Sequence, residues 1–132
     1  MRVFVDTSAF YALLDRDDDN HAIARSAWTG IVENGTVAVT SSYVLVETVA
    51  LLQSRLGLEA VRAFEEAMVP VLHVEYVTGE LHKLGMAALL VAARRRLSLV
   101  DCVSFEIMRR NGITASFSFD SHFKEQGFRL IS

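Results

Sequence analysis

Short β-branched apolar runs alternate with longer stretches of helical spacing along the whole chain. The apolar runs predict five strands, at residues 2–5, 36–40, 71–77, 114–119 and 128–131. The remaining apolar residues recur at helical spacing over residues 8–14, 21–32, 43–56, 58–68, 80–96 and 98–110, with a short turn of helix before the last strand. Strands that alternate with helices through short connections favour an α/β fold with an open, mostly parallel sheet covered on both faces.

The length and the hydropathy describe a small, strongly apolar domain. The chain has 132 residues, which fit one domain spanning residues 1–132, and its mean hydropathy is +0.30. A mean hydropathy this high in a short chain indicates a large hydrophobic core and an apolar surface that packs against another subunit. The helix predicted at 80–96 carries apolar residues nearly all round, and we expect its middle to be buried.

Membrane insertion and export are not expected. The longest uninterrupted apolar stretch, at 86–93, is far shorter than the roughly 18 to 20 residues that cross a bilayer. Asp6 interrupts the apolar N-terminus, and no small-residue cleavage site follows it. The single cysteine, Cys102, permits no internal disulfide and no multi-cysteine zinc site. We therefore expect a cytoplasmic protein.

The charge balance argues against nucleic-acid binding through bulk charge, because the net charge is −3. The cations are unevenly distributed, however. Eleven of the thirteen are arginine, and five of these form two clusters, at Arg94, Arg95, Arg96, Arg109 and Arg110. Arginine suits bidentate phosphate recognition, which would make the clusters RNA contacts. Both clusters also end predicted helices, where cations complement the helix dipole, so the two interpretations stay open.

Four acidic residues stand at or near the carboxyl ends of the predicted strands. Asp6 ends the first strand, Glu47 lies in the helix after the second, Asp101 opens a later helix, and Asp120 follows the fourth strand. Ligands of parallel α/β sheets collect at this edge. Asp6, Asp101 and Asp120 could instead cap helices, since Ser98 and Asp101 have the spacing of a capping box. Glu47 lies in an apolar stretch, and it is either exposed on the far side of its helix or part of a site.

Carboxylates gathered at one edge repel one another unless protons or cations neutralise them. A hard divalent cation such as Mg²⁺ or Mn²⁺ accepts carboxylate and water oxygens and leaves positions for phosphate oxygens. The acidic pattern therefore indicates a metal site that acts on a phosphate ester.

These residues, taken together, resemble the PIN domain family, and in order, spacing and length they resemble its VapC-like toxins. The resemblance rests on Val3-Phe4-Val5-Asp6-Thr7-Ser8, Glu47, Leu99-Val100-Asp101 and Ser118-Phe119-Asp120-Ser121-His122-Phe123, and it covers essentially the whole chain. Ser118 stands where the family often has threonine. The resemblance implies a three-layer α/β/α sandwich around a mostly parallel sheet.

The resemblance also implies a function and a set of site residues. It implies a metal-dependent endoribonuclease, the toxin of a type II toxin–antitoxin pair, that hydrolyses RNA to a 5′-phosphate and a 3′-hydroxyl. Asp6 and Asp101 would be the principal Mg²⁺ or Mn²⁺ ligands, completed by Glu47 and Asp120. The hydroxyls of Thr7, Ser8 and Ser118 would support the site. The implied partners are RNA, a VapB-like antitoxin laid over the active-site groove and a second copy of the chain in a homodimer.

Three alternative functions stay open at this point. A receiver-like phosphoacceptor also places acids at the edge of a parallel sheet, but it needs a lysine there, and neither Lys83 nor Lys124 fits that position well. A PIN fold could serve as an RNA-binding scaffold, or as a housekeeping nuclease without an antitoxin.

His122, close to Asp120, is interpreted as an exposed loop residue.

Overall fold

A computed structural model describes residues 1–131 and contains one five-stranded sheet. The strands lie in the order β3-β2-β1-β4-β5, and every pairing within this sheet is parallel. Their bounds are β1 Arg2–Val5, β2 Val37–Ser41, β3 His73–Glu75, β4 Ala115–Phe117 and β5 Arg129–Leu130. The predicted parallel α/β architecture is confirmed.

Helices fill the connections between the strands. Their bounds are α1 Thr7–Leu14, α2 His21–Glu33, α3 Ser42–Arg55, α4 Leu58–Ala63, α5 Gly79–Ala92, α6 Leu99–Arg110 and α7 Ser121–Glu125. A π turn at Phe64–Met68 and a 3-10 turn at Val69–Val71 follow α4. Among residues 1–131, every helix is too short or too polar to span a lipid bilayer.

The strand order places the helices in two layers. The chain moves outward in one direction from β1 to β2 and β3, then returns past β1 and continues outward in the other direction through β4 and β5. Right-handed crossovers put α1 to α4 on one face of the sheet and α5 to α7 on the other. The packing agrees, since α1 contacts α2 and α3, α3 contacts α4, and α5 contacts α6. This is the α/β/α sandwich that the sequence predicts.

The central strand β1 forms the middle of the hydrophobic core. Val3, Phe4 and Val5 are completely buried, because both faces of a parallel sheet are covered by helices. Phe123 of α7 is also completely buried, and its ring packs against Phe4 and Phe105. This packing anchors the short helix α7 beneath the carboxyl edge of the sheet.

The prediction for α5 is wrong about where the helix ends and holds for only one side of its middle. The helix ends at Ala92, because Ala93 takes a left-handed conformation with φ of 52°. Its middle is buried on one side only, at Gly85, while Ala87 is exposed, and Leu90 and Val91 in the last turn are 71% and 87% exposed. A helix that is apolar all round still buries only the face that meets a neighbour. Here that face meets α6 closely at Gly85, where an added Cβ would lie 2.5 Å from Val103 Cγ2.

The segment before β3 is helical as predicted, but it is less regular. The α-helix gives way at Phe64 to a π turn in which the amide of Val69 donates to the carbonyl of Phe64. Pro70 lies in the following 3-10 turn, since its ring and missing N–H are incompatible with a continued α-helix. The predicted strand at 71–77 is therefore shorter, with Val71 still in the turn.

Candidate active site

The sheet has a topological switch point between β1 and β4. These neighbouring parallel strands are followed by helices on opposite faces, which opens a crevice at their carboxyl ends. Asp6 directly follows β1, while Ser118 and Asp120 follow β4. These three predicted site residues therefore lie at the position where this topology favours a binding site.

Asp6 is the most deeply buried of the four acids, with 4% of its surface exposed. It caps α1, and its Oδ2 accepts hydrogen bonds from the hydroxyls of Ser8 at 2.9 Å and Ser118 at 3.1 Å. Burial raises the pKa of Asp6 to about 6, with smaller contributions from the charges of Asp101 and Asp120, against the opposing effect of the Ser8 hydrogen bond. The carboxylate is thus held rigidly in a place that disfavours its charge.

Two serine hydroxyls connect the ends of β1 and β4. Ser8 Oγ lies 3.2 Å from Ser118 Oγ and accepts a hydrogen bond from the amide of Phe119 at 2.9 Å. Ser118 Oγ accepts one from the amide of Asp120 at 3.0 Å. The two hydroxyls therefore position the backbone that carries Asp120 as well as the carboxylate of Asp6.

Glu47 reaches the same crevice from α3. Its side chain is half-buried and bonded to Thr7, whose hydroxyl also accepts a hydrogen bond from Thr48 at 3.2 Å. Burial raises the pKa of Glu47, the charges of Asp6 and Asp120 add to the shift, and the bond to Thr7 opposes it. The neighbouring Val46 is 69% exposed, so α3 turns an apolar residue to solvent and a carboxylate inward. The interpretation of Glu47 as exposed on the far side does not hold.

Asp101 caps α6 and also faces the crevice. The predicted capping box is present, with the Ser98 amide donating to Asp101 Oδ2 at 3.1 Å and the Asp101 amide donating to Ser98 Oγ at 3.0 Å. Asp101 also lines the crevice. Burial raises its pKa, and the charges of Asp120 and Glu47 raise it further against the hydrogen bonds of the capping box.

Asp120 and His122 lie together at the start of α7. Asp120 caps this helix by accepting the His122 amide at 2.9 Å. The His122 ring is only 14% exposed, and its Nδ1 lies 2.9 Å from Asp120 Oδ1 and 3.7 Å from Asp101 Oδ2. The interpretation of His122 as an exposed loop residue is therefore wrong. A histidine two residues after a capping aspartate lies in the first helical turn, and that spacing was the available signal.

The crevice is a cleft of about 610 Å³. It is lined by Asp6, Thr7, Ser8, Glu47, Ala50, Leu51, Ser54, Arg96, Ser98, Asp101 and Asp120. Four carboxylates from four separate segments thus face one space. Oxygen ligands of this kind fit a hard divalent cation, and the raised pKa values of three of them reflect burial and mutual repulsion that a cation would relieve.

The structure does not gather the five predicted RNA-binding arginines at the cleft. Of the five, Arg96 lines the cleft, and Arg95 is exposed in the turn after α5. Arg94 forms an ion pair with Glu125 at 2.9 Å. The other two extend from the last turn of α6, where Arg109 bonds Gln126 at 2.7 Å and Arg110 pairs with Glu80 at 2.9 Å. The left-handed turn at Ala93 separates Arg94, Arg95 and Arg96 from the helix that was expected to carry them.

The fold and the site define a parallel α/β domain with an acidic cleft at its switch point. The sequence matches the PIN domain family over residues 3–129, and the chain belongs to this family.

Known relatives support this assignment along nearly the whole chain. The 23S rRNA-specific endonuclease VapC20 of Mycobacterium tuberculosis, from strains CDC 1551 / Oshkosh and ATCC 25618 / H37Rv, is 37% identical over 127 residues, which cover 96% of this chain and 95% of the relative. The crystal structure of M. tuberculosis VapC20, described as a sarcin–ricin loop cleaving toxin, superposes with a TM-score of 0.85 at 36% identity and covers 96% of this chain and 95% of that one. The predicted resemblance to VapC-like endoribonucleases is confirmed.

The receiver-like alternative finds no support. The chain belongs to a different family, and neither Lys83 nor Lys124 is among the residues that line the cleft.

Proposed function

We propose that this protein is a divalent-metal-dependent endoribonuclease and the toxin of a toxin–antitoxin pair. The observation that carries the proposal is the convergence of Asp6, Glu47, Asp101 and Asp120 on one cleft. The relatives named above are described as an rRNA endonuclease and as a toxin, which supports the same reaction and RNA as the substrate. The protein would act in the cytoplasm, where such RNA is found.

The four carboxylates would hold Mg²⁺ or Mn²⁺, with Asp6 and Asp101 as principal ligands and Glu47 and Asp120 completing the set. These ions suit oxygen ligands, and their charge offsets the repulsion among the acids. Bound there, the ion would lower the pKa of a water molecule and polarise a phosphate oxygen, so that hydrolysis leaves a 5′-phosphate and a 3′-hydroxyl.

The surrounding hydroxyls would keep the carboxylates in place during the reaction. Ser8 and Ser118 both donate to Asp6 Oδ2, so they fix the direction of its ligand oxygens. Thr7 bonds Glu47 and links α1 to α3 through Thr48. Fixing ligand orientation in this way matters because positioning partners tune metal affinity by about 10- to 100-fold.

RNA would enter the cleft with its phosphates directed by positive groups around the acids. Arg96 lines the cleft, and the N-termini of α1 and α6 lie beside Asp6 and Asp101. Helix N-termini attract phosphate through their dipoles and free amides. The arginines Arg94, Arg95, Arg109 and Arg110 would add contacts to more distant phosphates when their local partners release them.

The proposed partners would cover two apolar surfaces. An antitoxin segment would lie over the cleft beside the exposed Val46 of α3, and a cationic side chain in that segment would pair with the carboxylates. A homodimer would cover the exposed face of α5, where Leu90 and Val91 are open to solvent. A Val91→Lys variant that leaves the protein folded but dissociates a dimer in light scattering would support this contact, and an unchanged dimer would contradict it.

RNA cleavage by the purified protein tests the proposed activity. We expect cutting of a pool containing 23S rRNA with Mg²⁺ or Mn²⁺, no cutting in EDTA, and loss of cutting in Asp6→Asn. Glu106→Gln removes a charge from α6 outside the cleft lining and serves as the matched control. A folded protein that binds RNA without cutting it would favour the scaffold alternative. Cutting that persists in EDTA would contradict the metal dependence.

The toxin role has its own test, because a housekeeping PIN nuclease would have the same cleft. We expect a small protein encoded beside this chain to copurify with it and to suppress its cleavage of RNA. Full activity in such a complex would contradict an antitoxin that covers the cleft and would favour the housekeeping alternative.

A further inference from the structure

We propose that His122 supplies an imidazole nitrogen to the metal site and thereby makes the site prefer Mn²⁺ to Mg²⁺. The inference deepens the proposed function and rests on the metal site described there. One ligand atom each from Asp101, Asp120 and His122 lies within 4.8 Å of the other two, a spacing that one cation can bridge. The four-carboxylate set does not include this nitrogen.

The environment of the His122 ring supports a metal ligand at Nδ1. Its Nδ1 is buried and lacks a hydrogen-bond partner among the described residues. The close approach to Asp120 Oδ1, at 2.9 Å, does not have the direction of a hydrogen bond, and Asp101 Oδ2 is 3.7 Å away. A buried polar atom without a partner is costly, and a metal ion shared with these oxygens satisfies it.

The backbone of α7 is anchored on both sides of His122. Asp120 accepts the His122 amide, so the acid and the imidazole share one helical turn. The next residue, Phe123, is completely buried against Phe4 and Phe105. The backbone on both sides of His122 is therefore held in place, which is what a metal ligand requires.

The chemistry of the donor set explains the metal preference. Mg²⁺ prefers oxygen ligands and an octahedral shell that retains water, whereas imidazole nitrogen suits transition metals. A site that combines carboxylates with one imidazole accepts both ions, but the nitrogen adds more to the binding of Mn²⁺ than to that of Mg²⁺.

Pulsed electron paramagnetic resonance of the Mn²⁺-loaded protein tests this ligand directly. We expect nitrogen hyperfine modulation from the bound ion, altered when the histidines are labelled with ¹⁵N and lost in His122→Asn. That variant offers an amide oxygen close to the place of Nδ1. His73→Asn, which removes an exposed imidazole paired with Glu75, is the control and keeps the modulation.

Metal titration calorimetry gives a second readout that does not depend on activity. We expect His122→Asn to weaken Mn²⁺ binding by about tenfold or more and to leave Mg²⁺ binding nearly unchanged. Stoichiometric Mn²⁺ binding to the wild-type protein without nitrogen modulation would overturn the role of His122 while leaving the metal site intact. Absence of Mn²⁺ binding to the folded wild-type protein would overturn both. The ¹⁵N comparison on the wild type decides the ligand even where His122→Asn does not fold.

Discussion

Ser118 Oγ donates a hydrogen bond to Asp6 Oδ2 over 3.1 Å and joins the ends of two strands that are 112 residues apart in sequence. The same oxygen accepts the amide of Asp120. One buried hydroxyl therefore positions two of the four carboxylates, and it does so at the switch point of the sheet.

Replacing Ser118 tests this relationship. Ser118→Ala leaves the Asp120 amide without its acceptor and Asp6 without one donor, so we expect the free energy of unfolding to fall by about 1–3 kcal/mol and the cleavage rate to fall with it. Ser118→Thr keeps the hydroxyl and is expected to restore most of both. Denaturant unfolding and RNA cleavage provide the two measurements. An alanine variant as stable and as active as the wild type would show that the hydroxyl does not position the site.

The raised pKa of Asp6 predicts a stability that depends on pH. The pKa is about 6 in the folded protein against 3.8 for an unperturbed aspartate, so between these values the folded state retains a proton that the unfolded chain has lost. The free energy of unfolding of the metal-free protein must therefore decrease as the pH rises through this window. The loss is complete above pH 6 and amounts to at most about 3 kcal/mol.

Asp6→Asn removes this penalty while keeping a side chain that caps helices well. In EDTA at pH 7 we expect the variant to be more stable than the wild type, with the difference shrinking towards pH 4. Denaturant unfolding at several pH values measures it. A variant that is less stable at pH 7 in EDTA would contradict the assigned shift.

The close contact between α5 and α6 leaves no room for a side chain at Gly85. A Cβ at Gly85 would lie 2.5 Å from Val103 Cγ2, and Val103 is completely buried. We expect Gly85→Ala to destabilise the protein by about 1–3 kcal/mol, although alanine favours a helix. Gly30→Ala in α2 meets nothing within 4 Å and is the matched control, expected to be neutral or stabilising. Equal stability changes in the two variants would contradict the close packing.

Several features of the site could be predicted from the sequence because they depend on local patterns. The strand that ends at Asp6 and the capping box of Ser98 and Asp101 follow from the order of apolar and polar residues. Parallel strands then bring their carboxyl ends together by topology alone. The sequence therefore predicted the edge at which the acids gather.

The remaining features depend on contacts between distant segments. The His122 ring lies against Asp101, a residue of another helix, and the exposure of Val91 depends on which face of α5 meets α6. Helical spacing places residues on a face without saying what that face touches. The left-handed Ala93 has no glycine or asparagine to indicate it, so the end of α5 and the position of Arg96 were not predictable.

The position of Arg96 at the cleft predicts its part in binding RNA. We expect Arg96→Ala to weaken binding and to reduce the slope of log affinity against log salt by about 1, since one phosphate contact is lost. Arg25→Ala in α2, outside the cleft lining, serves as the control and should leave the slope unchanged. Binding to a catalytically inactive Asp6→Asn background at several salt concentrations measures the effect. An unchanged slope in Arg96→Ala would remove this arginine from the RNA interface.

RNA cleavage by Asp101→Asn in Mn²⁺ separates a metal-ligating role of this carboxylate from a purely capping role. Asparagine keeps an oxygen that can accept the Ser98 amide, so the capping box survives while the charge is lost. We expect a folded variant that is at least as stable to heat as the wild type and whose cleavage of 23S rRNA falls by orders of magnitude. Cleavage at the wild-type rate by this folded variant would show that Asp101 only caps α6, and it would contradict the assignment of the acidic cleft as the metal-dependent nuclease site.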